Sequence, residues 1–146
     1  MHVTGRCFCG DVQYEAEVNE KQVGICHCTS CQRNSGTAFR VTVYGDGENF
    51  RLISGELSTF EHVADSGATR SRAFCPKCGT HIYVRSIGGG GIPMWGFRVG
   101  TIDQRDKLVP NAQGWCRSAQ PWAIIESLPQ IATQLGAEEI ARRMAK

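Results

Sequence analysis

Eight cysteines stand in 146 residues, and seven of them fall into three tight groups: Cys7 with Cys9, then Cys26, Cys28 and Cys31, then Cys75 with Cys78. Cysteines at such spacings are ligands for zinc, which takes thiolate sulfur at about 2.3 Å. Cys75-Pro76-Lys77-Cys78 has the separation that closes around one zinc ion, and Cys7-Phe8-Cys9 offers a second, tighter pair. Gly10 and Gly79 follow the second cysteine of each pair. Glycine there can take positive φ and let backbone N–H groups turn toward the sulfurs. Joined across a sheet, Cys7, Cys9, Cys75 and Cys78 would make a closed site of four thiolates, the arrangement that stabilises a fold instead of performing chemistry.

The middle group, Cys26-His27-Cys28-Thr29-Ser30-Cys31, is too dense in metal-binding side chains for an ordinary core segment. It reads as a three-thiolate site whose fourth position is left to water or substrate, the open coordination that catalytic zinc needs. Cys26, Cys28 and Cys31 are therefore the candidate catalytic residues. A helix beginning near Thr29 would set its positive end beside these thiolates and favour their ionised form. Other readings compete. A redox dithiol at Cys75/Cys78 or Cys28/Cys31 lacks the βαβ context such motifs require. Cys116 either completes a second four-thiolate site, which would make both ions structural, or is a small buried apolar residue. His27, flanked by ligands, points away from the metal. His81 faces the core or a pocket, and His62 and His2 read as surface residues. Arg33, two residues past Cys31, either attracts a substrate carboxylate or is a solvated surface arginine.

The elements that must position these groups alternate apolar and polar residues as half-buried strands do, over 12–18, 39–44 and 81–85, with shorter candidates at 50–53 and 97–102. Turn signals at Gly45-Asp46-Gly47, Ser54-Gly55 and Asp65-Ser66-Gly67 separate them, so the body reads as antiparallel β. A helical pattern is convincing only near the C-terminus, where Ile131, Leu135, Ile140 and Met144 share a face within limits set by Pro129 and Gly136. Gly88 to Gly91 lack the Lys and Ser or Thr of a phosphate loop and read as a mobile loop between strands, with a flap beside the site as the alternative.

The length suits one domain spanning residues 1–146. A hydrophobic share of 41% and a net charge of +2, with both signs scattered, indicate a folded chain without the footprint of nucleic-acid or anionic-membrane binding. The N-terminus lacks the apolar stretch of a secretory signal, and no run approaches a membrane span. The expected compartment is the cytoplasm, where thiols stay reduced and clustered cysteines bind metal in preference to forming disulfides.

Three blocks taken in order resemble a known family: Gly5-Arg6-Cys7-Phe8-Cys9-Gly10, Cys26-His27-Cys28-Thr29-Ser30-Cys31, and Phe74-Cys75-Pro76-Lys77-Cys78-Gly79-Thr80, with Gly100-Thr101-Ile102-Asp103 and Pro121-Trp122 as later landmarks. They are similar to the glutathione-dependent formaldehyde-activating enzymes. The resemblance implies a mainly β, Mss4-like, zinc-containing tent of antiparallel sheets, to which the reading above adds a short C-terminal helix. It implies two zinc ions per chain, a structural one on Cys7, Cys9, Cys75 and Cys78 and a catalytic or exchangeable one on Cys26, Cys28 and Cys31. The implied activity is carbon–sulfur chemistry joining a small-molecule thiol, glutathione, to formaldehyde, as in S-(hydroxymethyl)glutathione synthases. A non-catalytic scaffold of the same fold, using Trp95, Phe97, Trp115 and Trp122 as an apolar patch, is the alternative. Family members commonly carry His and then an apolar residue where this chain has Gln113 and Gly114. If that segment lines the pocket, a different thiol or aldehyde is expected.

Overall fold

The computed structural model describes residues 1–90, 93–134 and 142. Strand β2 (Gln13–Cys26) turns Tyr14, Ala16, Val18, Val23 and Ile25 inward, the period-two alternation of a strand with one buried face. Around it lie β1 (His2–Arg6), β3 (Arg40–Ser54), β4 (Ser58–Val63), β5 (Thr69–Phe74), β6 (His81–Gly88), β7 (Trp95–Arg98) and β8 (Ala112–Gly114). Seven strands run in the order β1-β2-β3-β7-β6-β5-β4 with every neighbouring pair antiparallel, and β8 adds to β2 in parallel. Among the described residues one short α-helix, α1 (Thr29–Ser35), follows β2, and 3₁₀ turns fill the connections after β7. The architecture is mainly β and agrees with the Mss4-like tent.

Two sequence expectations change. Gly45-Asp46-Gly47 is not a turn between strands but part of β3. The register passes from Glu17↔Asp46 to Glu15↔Arg51, so residues 47–50 bulge opposite Ala16. Gly45 is needed there because a Cβ would collide with the Glu17 carbonyl. The strand expected over 97–102 ends at Arg98, where the Thr101 hydroxyl donates to the Arg98 carbonyl at 2.8 Å and closes a 3₁₀ turn. The turns at Gly55 and Gly67 stand as expected, both glycines at positive φ. Gly88 ends β6 and Gly89 and Gly90 take positive φ on the way to β7; Gly91 lies outside the described residues, as does most of the expected C-terminal helix.

The core is built from Val3, Val12, Tyr14, Val23, Val43, Ile82, Phe97 and Ile102, all essentially inaccessible. An aromatic cluster extends it: Tyr83 packs on Trp95 at 4.3 Å and Phe50 on Tyr83 at 5.1 Å. Trp95 and Phe97 therefore serve the interior, while Trp122 stands 77% exposed, so these residues form no continuous surface patch. Cys7 and Cys75 belong to the same buried cluster, which ties one cysteine group directly to the core. Among the described residues no helix is long and apolar enough to cross a membrane.

Candidate metal centres

Cys7 and Cys9 lie just past β1, Cys75 and Cys78 just past β5, in two knuckles of one design. Gly10 N–H donates to the Cys7 carbonyl at 3.1 Å and Gly79 N–H to the Cys75 carbonyl at 2.8 Å, with both glycines at positive φ. The knuckles are tied together by Lys77 with Asp11 at 2.7 Å and by the Phe8 N–H donating to the Thr80 hydroxyl at 3.0 Å. The four sulfurs all lie within 4.8 Å of one another, Cys7 and Cys9 at 3.5 Å and Cys9 and Cys75 at 3.9 Å. Tetrahedral zinc requires sulfur separations of about 3.8 Å, so the donor set fits. Without a cation the four thiols cannot ionise together. The Thr80 hydroxyl and the N–H groups of Cys9 and Thr80 bring Cys78 down to about 5. Cys9, against the pull of the Asp11 N–H, is pushed up to about 12 by its neighbouring thiols and by burial. A dication would remove that conflict.

The second group sits where β2 runs into α1. Cys26 ends the strand, Cys28 is the extended residue capping the helix, and Cys31 lies buried in its first turn. The Cys31 N–H donates to Cys28 Sγ at 3.3 Å, so one sulfur is both helix cap and candidate ligand. These three sulfurs also lie within 4.8 Å of one another. The thiols of Cys26 and Cys28 pull Cys31 far below its usual range, against burial and with help from Arg40 and Arg72. Cys26 is pushed far up by Cys28, Cys31 and burial. The donor set suits a thiophilic dication held by three protein ligands, and among the described residues no fourth His, Cys, Asp or Glu joins it.

Cys116 stands apart: half-buried, it donates to the Gln113 carbonyl at 3.5 Å and does not complete the site. His27 also turns away, donating from Nε2 to Gln113 Oε1 at 3.1 Å with its ring edge-on to Phe39. Gln113 is fully buried and pairs in turn with the Ile125 N–H and carbonyl. Gln113 thereby braces His27 and β8, while Gly114 and Trp115 line the cavity beside the cysteines. Strand β8 holds Cys26 in register opposite Gly114, and His27 N–H donates to the Gly114 carbonyl at 3.0 Å.

The three cysteines open on a cavity of about 180 Å³ lined also by Tyr44, Arg40, Arg70 and Arg72. Arg33, the arginine singled out by its nearness to Cys31, is exposed and lies outside it. The arginines beside the thiolates come from β3 and β5, and local sequence gave no signal for them. His62, expected at the surface, is half-buried with Nε2 at 3.4 Å from Arg72, whereas His2 is exposed beside Glu17. His81 packs on Phe74 at 5.9 Å, and burial together with Arg98 lowers it to about 4.

Fold and sites together define a mainly β protein with two cysteine clusters able to hold metal ions. Residues 2–118 match the model of the glutathione-dependent formaldehyde-activating enzyme family, and the chain belongs to that family. A crystal structure of a Rhodobacter sphaeroides protein superposes with a TM-score of 0.56 at 17% identity, over 89% of this chain and 99% of that one, and shares the fold.

Proposed function

We propose that the protein is a zinc-dependent carbon–sulfur lyase or synthase that joins a small thiol, glutathione or a related compound, to a small aldehyde such as formaldehyde. The observation that carries this reading is the unequal pair of clusters: a four-sulfur set anchored in the core through Cys7 and Cys75, and a three-sulfur set facing a cavity. A zinc ion on Cys26, Cys28 and Cys31 would supply a fourth position at which a substrate thiol is kept deprotonated, since three thiolates suit it poorly to polarising a carbonyl. The chain's part is to orient the aldehyde. Tyr44 lines the same cavity, and burial raises its phenol above the ordinary value. It stays protonated and can donate to the aldehyde oxygen. Reduced thiols are the form this chemistry needs, which supports a cytoplasmic setting.

Exchange NMR of formaldehyde with glutathione tests the reading. Zinc-loaded protein is expected to accelerate adduct exchange well above the uncatalysed rate. No acceleration with any of several thiols and aldehydes, with both ions inert to thiols, would favour the scaffold alternative.

A further inference from the structure

Three arginines approach the Cys26, Cys28 and Cys31 thiolates from two strands. Arg40 faces Cys26 in the β2/β3 register, and Arg70 and Arg72 stand two apart on β5. All three line the cavity. Arg72 is 5% exposed and interacts with the Cys31 sulfur. Arg40 has two buried nitrogens, Nε and Nη1, without a hydrogen-bond partner, and so has Arg98 at Nη2 on adjacent β7. Among the described residues none of these arginines has a carboxylate within ion-pair distance, and exposed Asp65 is the one acid lining the cavity. Buried cations and buried donors need partners. Three thiolates would balance the three lining arginines, but with a dication bound their net charge falls to about −1, which leaves about two positive charges over. A carboxylate matches that excess and the planar fork of a guanidinium.

We propose that Arg40, Arg70 and Arg72 form a carboxylate subsite beside the three-thiolate centre, and that the aldehyde substrate is an oxoacid whose carboxylate is joined directly to the reacting carbonyl carbon. The inference rests on the functional reading above and names its substrate class. With Arg72 at the Cys31 sulfur, a carboxylate held there lies beside the carbon being attacked, not at the far end of a peptide-like thiol. In the reaction the thiol sulfur bonds to the carbonyl carbon, the carbonyl π pair moves to oxygen, and the thiol proton ends on that oxygen. The product is a carboxylate-bearing hemithioacetal, formed without oxidant or reductant.

The test uses zinc-loaded full-length protein. In ¹³C NMR titrations without thiol, glyoxylate is expected to bind at least tenfold more tightly than neutral glycolaldehyde. Arg70→Gln should weaken glyoxylate binding about tenfold at unchanged zinc content, and Arg70→Lys should recover part of it. In exchange assays glyoxylate should outpace formaldehyde with glutathione and with carboxylate-free cysteamine alike. Equal binding of glyoxylate and glycolaldehyde, or indifference to Arg70→Gln, would overturn the subsite. Loss of rate on changing glutathione for cysteamine, with both aldehydes equal, would assign the arginines to the thiol and overturn the oxoacid claim. Arg70-dependent binding without turnover would uphold the subsite and remove the functional reading. Formaldehyde turnover without glyoxylate binding would do the reverse.

Discussion

Cys31 and Cys75 are both buried thiols in clusters able to hold a metal ion, yet their replacement should have opposite consequences. Cys31→Ser is expected to lower adduct formation by about a hundredfold or more while shifting the melting temperature by only a few degrees, because its cluster faces a cavity. Cys75→Ser should leave little folded protein, since that sulfur is part of the core as well as a proposed ligand. Thermal melts and exchange rates on both variants separate the two roles. His81 gives a pH prediction. Its folded value of about 4 lies below the unfolded value of about 6.5, so the unfolded chain binds more protons between them. Stability is fully present above pH 6.5 and falls as the pH drops toward 4. In urea titrations His81→Gln should lose less stability than the parent across that window; parallel losses would contradict the assignment.

Among the elements, β3 carries the most consequential irregularity, because its bulge lets one strand serve both the aromatic core and the cavity. Gly45→Ala drives a methyl group into the Glu17 carbonyl across the β2/β3 ladder and should destabilise by about 1–3 kcal/mol, read from the midpoint of denaturant unfolding. The cysteine clusters were legible in the sequence because their geometry is local: each pair closes its own knuckle, and Cys28 and Cys31 share one helical turn. The first part of β2, the start of β3 and most of β6 were legible from alternation. Strands β4 and β5 were not, since β4 is largely exposed and β5 buries Ser71 and Arg72, polar residues that hide its inward face. The arginines escaped for a related reason. Arg40 and Arg72 meet the thiolates only through pairing of β3 with β2 and through sheet order, which local spacing does not encode. The supposed turn at residues 45–47 misled because glycines there relieve a cross-strand clash instead of reversing the chain.

Across the whole molecule, the proposed function gives the two clusters separate roles. The four-sulfur set joins the ends of β1 and β5, residues far apart in the chain, and should behave as a staple. Treatment with a strong chelator is accordingly expected to proceed in two stages. Metal leaves the three-cysteine centre first with the near-ultraviolet circular dichroism retained, and loss from the four-cysteine centre follows with cooperative unfolding. Simultaneous loss of both ions would argue against separate roles. Zinc-edge X-ray absorption with and without glutathione distinguishes a closed centre from one open to a thiol. One closed and one open centre give about 3.5 sulfurs per zinc in the protein alone, the mean of a four-sulfur and a three-sulfur site, rising to about 4 when the thiol is added. A sulfur count unchanged by glutathione would contradict that arrangement.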